Sequence, residues 1–145
     1  MEYTLEVIPL PVSDLDRSME FYRDKLGFHV DIDAEVMPGM RIVQLTPPGS
    51  GCSIALAADS LWDTMSGPKP PAGSYQGLQL CVADAKAAHA ELTSRGLDIS
   101  EPIQHSPEDG GTFMYFKDPD GNGWAIQEYT VRAKTPLRDA IVRQG

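Results

Sequence analysis

Apolar positions follow a helical spacing in two places along the chain. Leu15, Met19, Tyr22 and Leu26 form one apolar stripe after a pair of capping residues, and Gly27 stands where a helix-ending glycine belongs. A second helix is predicted from the capping Asp84 to Gly96, with small and apolar residues on one face. Each helix is flanked by short segments rich in β-branched and aromatic residues, which is typical of strands.

These segments predict eight strands, four in each half of the chain. They are Thr4–Leu10, Phe28–Asp33, Arg41–Leu45, Cys52–Ala57, Tyr75–Val82, Leu97–Ser100, Thr112–Phe116 and Trp124–Tyr129. The Pro-, Gly- and Ser-rich stretch 58–74 predicts a linker between the halves, in which Trp62 forms either a lid or a simple contact. A short helix is predicted to begin at Thr135 and Pro136.

The two halves repeat each other. Leu10–Asp14 matches Leu80–Asp84 at an offset of 70, and Gly49–Ile54 matches Gly121–Ile126 at an offset of 72. The repeat predicts an α+β fold of two βαβββ modules that form a curved mixed sheet around a cleft. We expect a single domain over residues 1–145, with modules of about 1–66 and 67–145.

Two motifs carry a family resemblance. Leu10–Ser18, followed by Phe21-Tyr22 and Leu26–Phe28, resembles the start of the vicinal oxygen chelate superfamily of glyoxalases, bleomycin resistance proteins and extradiol dioxygenases. Asp118–Asn122 resembles the same group's terminal hairpin, whose proline and glycine suit a tight turn. The resemblance covers nearly the whole chain and implies the fold, but fold alone does not fix function.

The resemblance also implies where a metal ion would be bound. Metal-dependent members hold a His seven residues before the capping Asp, where this chain has Val7 and, in the repeat, Gly77. They hold a Glu three residues after the hairpin Asn, where this chain has Ala125 and, in the repeat, Ser53. Divalent cations need imidazole, carboxylate or thiolate ligands. We therefore expect no metal and no cofactor.

Strand alternation predicts the side chains that line the cleft instead. If Gly77 and Ala125 point inward, so do Gln79 and Gln127, because side chains two apart share a strand face. Such a cleft would offer two amides, one from each end of the second module's sheet. Its small residues would leave volume for an organic molecule. The predicted ligand-binding residues are Gln79, Gln127, Ser53, Gln44 and Tyr115, with Arg41 open as an alternative to Gln44 and Met114 as an alternative to Tyr115.

The charge, hydropathy and cysteine content of the chain limit the classes of partner and the compartment that can be expected. Asp and Glu outnumber Lys and Arg by 21 to 12, which argues against nucleic-acid binding. No apolar run approaches a membrane span, and the start of the chain lacks the features of a signal peptide. Cys52 and Cys81 are isolated, so neither a disulfide framework nor a thiolate metal site is expected. These features favour a cytoplasmic protein.

Three functions remain open. The first is a homodimer that binds, and thereby sequesters, a small organic molecule in a metal-free cleft, in which case Gln79 is either a ligand contact or a polar residue at the dimer seam. The second is a lyase, isomerase, cyclase or dioxygenase of the same superfamily, which would need an acid or base such as Glu128, His105 or Tyr115. The third is a catalytically silent interaction module.

Overall fold

The computed structural model describes residues 1–65, 67–106 and 111–130. The chain divides into two compact units, of which the first holds residues 1–75 and 118–122 and the second holds residues 76–117 and the chain from Gly123 onward. The helix predicted at Thr135 lies outside the described residues. None of the described helices is long and apolar enough to cross a membrane.

The first unit contains a four-stranded mixed sheet in the order β1-β4-β3-β2. Strand β1 is parallel to β4, and the other neighbours are antiparallel. Its elements are β1 (Val7–Pro11), α1 (Leu15–Glu20), a π-helical turn (Phe21–Lys25), β2 (His29–Met37), β3 (Met40–Thr46), β4 (Ser53–Ala57) and the short helix α2 (Asp59–Trp62).

The second unit repeats this topology in the order β5-β8-β7-β6, again with the first and last strands parallel. Its elements are β5 (Leu78–Val82), α3 (Ala85–Ser94), β6 (Ile103–Gln104), β7 (Thr112–Lys117) and β8 (Gly123–Glu128). The α+β class and the two βαβββ modules are therefore confirmed.

Both modules start their helix with the same device. The backbone angles φ and ψ are −140° and 110° at Asp14 and −144° and 105° at Asp84. Each carboxylate accepts a hydrogen bond from the amide three residues on, Arg17 N or Ala87 N, at 3.0 Å. A side-chain oxygen at this position satisfies one of the helix's unpaired N–H groups. The repeat seen in sequence is thus a repeat of local structure.

Three predicted elements differ in the structure. The apolar stripe from Leu15 is not one regular helix, because a π-helical turn follows Glu20. The predicted strand at 97–100 is wrong: Leu97 is buried after the glycine that ends α3, and the edge strand is β6. The linker holds helix α2, and Trp62 Nε1 donates to Ala57 O at 2.8 Å, which makes Trp62 a contact at the end of β4.

Each helix covers one face of its own sheet. In the first unit Leu10, Val43, Leu45 and Leu56 are fully buried, and α1 contacts β3 and β4. In the second unit α3 contacts β7 and β8, and the side chains buried there are Met114, Phe116, Trp124, Ile126, Ala85 and Leu92. The side chains that alternate with these point to the opposite face, which we call the open face of each sheet.

The Asp118–Asn122 turn owes its conformation to a buried carboxylate. Asp118 Oδ1 accepts the backbone N–H groups of Asp120 (3.0 Å) and Asn122 (2.8 Å), and Oδ2 accepts the Tyr22 hydroxyl at 2.7 Å. The fully buried Asn122 donates to Asp118 Oδ2 and to Pro11 O. This part of the family motif therefore has a structural role, because the buried side chains of Asp118 and Asn122 are both hydrogen-bonded.

Candidate functional site

The open face of the second sheet brings together three of the five predicted site residues. Gln79 is in register with Ala125 in the parallel β5–β8 ladder, and Tyr115 is in register with Ala125 in the β7–β8 ladder. Gln127 follows two residues after Ala125 and shares its face. The two glutamines lie on neighbouring strands and not at opposite ends of the sheet, which corrects the sequence expectation.

Gln79 and Gln127 form a direct pair. Gln79 Nε2 donates to Gln127 Oε1, and the Gln79 side chain is exposed. An amide pair of this kind holds two side chains in one orientation while Gln79 keeps an N–H and a carbonyl that can meet a ligand. The contact also reduces the freedom that either side chain would lose on binding.

A cleft of about 410 Å³ opens on the same sheet, and one of its lining residues, Ala125, is in register with Gln79. It lies over β7 and β8, and two residues just before β5, Gln76 and Gly77, complete its wall. The lining residues from β7 and β8 are Tyr115, Phe116, Lys117, Gly123, Trp124 and Ala125. Gly77 and Ala125 occupy two of the positions at which metal-dependent members carry ligands, and here they form part of the cleft surface. Their small size leaves the volume that a larger side chain would fill.

An aromatic cluster borders the cleft at Tyr115. The rings of Phe113 and Tyr115 are nearly parallel, with centroids 6.3 Å apart, and His105 Nε2 lies 3.2 Å from the Tyr115 hydroxyl. Sequence reasoning missed Phe113, although it is two residues before Tyr115 on the same strand face. The cluster gives the open face an apolar surface with a polar edge.

The structure resolves the alternatives that strand parity left open. Met114 is fully buried on the helix side, so Tyr115 is the member of that pair on the open face. Arg41 binds Asp33 and Asp16, whereas Gln44 is in register with Ala55 on the open face of the first sheet. The Arg41 guanidinium holds the pKa of Asp33 below its usual range by hydrogen bonding to it.

Glu128 lies on the helix side of the second sheet. Its Oε2 accepts a hydrogen bond from Ala85 N at 2.8 Å, at the first residue of α3. A carboxylate there compensates an unpaired N–H group and the positive end of the helix dipole. Of the three acid or base candidates in the sequence, Tyr115 lines the cleft, and His105 contacts the Tyr115 hydroxyl.

Ser53 and Gln44 lie in the first unit, where Ser53 belongs to a chain of polar contacts. Ser53 is in register with Val7, and its Oγ lies 2.6 Å from Thr46 Oγ1. Thr46 Oγ1 in turn donates to Asp31 Oδ2. Sequence reasoning missed Thr46 and Asp31, because Asp31 sits at an irregularity in the β2–β3 register that alternation does not reveal.

The residues at the family's ligand positions do not fit a divalent cation. Val7, Gly77 and Ala125 have no donor atom, and Ser53 offers only a hydroxyl that is already hydrogen-bonded. Within residues 1–65, 67–106 and 111–130, no group of three or more His, Cys, Asp or Glu side chains comes together. Burial raises the pKa of the Cys52 thiol, which disfavours the thiolate form that binds metals.

With two βαβββ modules and an open face on each sheet established, the chain can be compared with known proteins. Residues 4–126 match the model of the Glyoxalase/Bleomycin resistance protein/Dioxygenase superfamily. The chain belongs to this superfamily. It is 31% identical over 128 residues to an uncharacterised protein of Shewanella frigidimarina, covering 87% of this chain and 93% of that protein.

Solved structures agree with this assignment. TnmS3, an antibiotic binding protein from Streptomyces sp. CB03234, superposes with a TM-score of 0.71 at 28% identity, over 88% of this chain and 97% of that one. A member of the superfamily from Sphaerobacter thermophilus gives a TM-score of 0.70 at 33% identity, over 88% and 98% of the two chains.

Proposed function

We propose that this protein binds a small organic molecule on the open face of its second sheet, without a metal ion, and sequesters it. The observation that carries the proposal is the Gln79–Gln127 amide pair, which is linked to the 410 Å³ cleft by the register of Gln79 with the cleft residue Ala125. That volume lies in the range of pockets for drug-sized ligands, which combine an apolar lining with a few placed polar groups.

The contacts on this face suit recognition. Tyr115 and Phe113 offer aromatic surface, and the paired amides offer oriented donors and acceptors, each worth about 0.5–1.5 kcal/mol to a ligand. The similarity to an antibiotic binding protein supports a binding function for this chain. The side chains at the family's ligand positions support binding without a metal.

The test begins with a thermal-shift screen of small organic compounds in EDTA, followed by calorimetric titration of each compound that stabilises the protein. Gln79→Leu and Gln127→Leu are expected to weaken binding by roughly threefold to tenfold, since each removes one oriented amide. Gln104→Leu is the matched control, because Gln104 is exposed on the edge strand β6 of the same sheet and faces the other side of that sheet. Equal losses in all three variants, or compounds that bind only after metal is added, would refute the proposal.

A homodimer is part of this proposal. Tyr3, Leu5, Val36 and Met37 are large apolar side chains that stay exposed in the first unit, and strands β1 and β2 are the edges of its sheet. Exposed apolar groups and unpaired strand edges are commonly covered by a second copy. Size-exclusion chromatography with light scattering should show a dimer at micromolar concentration, and a monomer would contradict it.

We also propose that residues 1–145 act as one domain in the cytoplasm. The chain leaves the first unit after Tyr75, returns to it at Asp118–Asn122 and leaves it again, which favours joint folding. Cys52 and Cys81 are not joined by a disulfide, as expected in a reducing compartment. A single cooperative unfolding transition and recovery in the cytosolic fraction are the expected results.

A second candidate function is acid–base catalysis, as in a metal-independent lyase or isomerase. The observation that favours it is the 3.2 Å contact between His105 Nε2 and the Tyr115 hydroxyl at the cleft. If a bound compound is turned over, Tyr115→Phe should abolish turnover while binding is kept. If the parent protein turns over none of the compounds that it binds, and Tyr115→Phe only weakens their binding, the catalytic function is refuted and the binding function stands.

A further inference from the structure

Asp31, Thr46 and Ser53 form a series of hydrogen bonds on the first sheet, which we call the hydroxyl chain. The number of available protons determines which group donates in each of these hydrogen bonds. An ionised carboxylate only accepts hydrogen bonds, so the single hydroxyl proton of Thr46 is donated to Asp31. The 2.6 Å contact between Thr46 and Ser53 then has one possible donor, which is Ser53 Oγ. Ser53 has no proton left, and its Oγ presents only acceptor lone pairs.

The position of Asp31 makes this arrangement a property of the fold. The β2–β3 register shifts between Val30 and Ile32, so Asp31 is the extra residue of a bulge. Bulges redirect side chains out of the regular alternation. Here the bulge brings the carboxylate to Thr46, which otherwise would be free to donate toward Ser53.

The surroundings of Ser53 are negative. Asp31, whose carboxylate accepts the Thr46 hydroxyl, places a negative charge on this face, one hydroxyl away from Ser53. Glu6 O also accepts the Ser53 backbone N–H at 2.8 Å. His29 Nε2 lies 3.8 Å from Asp31 Oδ1, and this imidazole is charged only when it is protonated.

We infer that the open face of the first sheet at Ser53 selects ligand groups that donate hydrogen bonds, protonated amines above all. The inference rests on the proposed small-molecule binding function and assigns the chemistry of a second contact region. An ammonium group can donate to Ser53 Oγ and be attracted by the Asp31 carboxylate. A carboxylate would find neither a donor at Ser53 nor a favourable charge.

Two probes with the same phenol ring test this selectivity. Tyramine carries an ammonium group and 4-hydroxyphenylacetate carries a carboxylate, and each is titrated into ¹⁵N-labelled protein in EDTA. Tyramine is expected to shift the amides of Asp31, Thr46 and Ser53 with an affinity about tenfold higher than that of 4-hydroxyphenylacetate. Equal or reversed affinities, or no response at these amides to either probe, would overturn the inference.

Variants separate the hydroxyl chain from the overall charge. Asp31→Asn and Thr46→Val should reduce the preference for tyramine to about threefold or less. In either variant Ser53 no longer has to donate its proton to Thr46, so its hydroxyl can also donate to a ligand. Thr46→Ser keeps the chain and should keep the preference. Asp63→Asn removes the same charge beyond the far end of β4 and should also keep it. A loss in Asp63→Asn equal to that in Asp31→Asn would refute a role for the chain.

Failure of the inference about Ser53 can be distinguished from failure of the proposed binding site on the second sheet. Compounds that still shift Gln79, Tyr115 and Gln127, with no ammonium preference at Ser53, would remove this inference alone. An ammonium preference at Ser53 without any response on the second sheet would remove the proposed site on that sheet and leave this inference intact.

Discussion

The two sheets share a frame but carry different chemistry on their open faces. Both have the same strand order, the same parallel first and last strands, and helices capped by Asp14 and Asp84 with closely similar backbone angles. The first sheet shows a carboxylate–hydroxyl chain that ends at Ser53, and the second shows an amide pair beside stacked aromatic rings. Side chains on the open faces are free to differ because the helix-side core and the caps maintain each module.

Loss of the Asp118 carboxylate should have the largest effect on stability. Asp118→Ala removes the carboxylate that accepts from the Tyr22 hydroxyl, from two turn amides and from one N–H of the Asn122 side chain, which should cost about 3 kcal/mol in the free energy of unfolding. Ser50→Ala, in the matching turn of the first module, removes only contacts to Cys52 and should cost less than about 1 kcal/mol. Urea denaturation gives both values, and equal losses would show that the turns carry equal weight.

Gly73 should be the next most sensitive position, because it anchors the terminal turn. A Cβ at Gly73 would lie 1.9 Å from Asp120 O, and the residue has φ of 81°. Gly49 has the same φ with open space around it. Gly73→Ala should therefore cost at least about 2 kcal/mol, and Gly49→Ala about 1 kcal/mol, which is the strain of the left-handed backbone alone. Similar midpoints of chemical denaturation for the two variants would contradict the close approach.

The shared caps should make equal contributions. Asp14→Ala and Asp84→Ala each remove one hydrogen bond to a helix amide and should each cost about 1 kcal/mol. Glu128 adds a second acceptor at the start of α3, so Glu128→Gln should lower stability by a few tenths of a kcal/mol. Guanidinium denaturation of the three variants measures these changes in the free energy of unfolding. A much larger loss at one Asp would break the equivalence of the modules.

A small effect that depends on pH is expected at Arg41, which pairs with Asp33 and Asp16 in the first module. Its guanidinium lowers the pKa of Asp33, so the pair contributes stability above the unfolded-state pKa of Asp, about 3.9. That contribution disappears as pH falls through the lower pKa of the folded state. Arg41→Met should cost less than about 1 kcal/mol at pH 7, because the groups are solvent-screened, and nothing at pH 2. A difference that persists at pH 2 would indicate lost packing instead.

The repeat and the glycines made the fold predictable, but local irregularities were not. The capping Asp residues, Gly27, Gly96 and the proline–glycine turn each act within a few residues, so their effects are visible in the sequence. The π-helical turn after Glu20 and the bulge at Asp31 depend on tertiary packing and register, which periodicity does not encode. The predicted strand at 97–100 failed because an apolar run after a helix can equally be buried against that helix.

The sequence predicted which side chains share one face of the sheet at the candidate site. It did not predict which of those side chains contact each other. Alternation from Gly77 and Ala125 identified Gln79, Gln127 and Tyr115 as neighbours on one side of the sheet. It could not show that the glutamines bind each other, that His105 contacts Tyr115, or that Glu128 serves the helix. Those contacts depend on side-chain orientation, which strand parity alone does not determine.

The central claim is that the open face of the second sheet binds a small organic molecule without a metal ion. The most direct measurement is a ¹⁵N chemical-shift titration, in excess EDTA, with a compound selected by the thermal-shift screen. The expected result is a saturable shift at Gln79, Tyr115, Ala125 and Gln127 that is unchanged by EDTA. Saturable shifts confined to the helix side of the sheet, or a response that disappears with EDTA and returns with added metal, would contradict the claim.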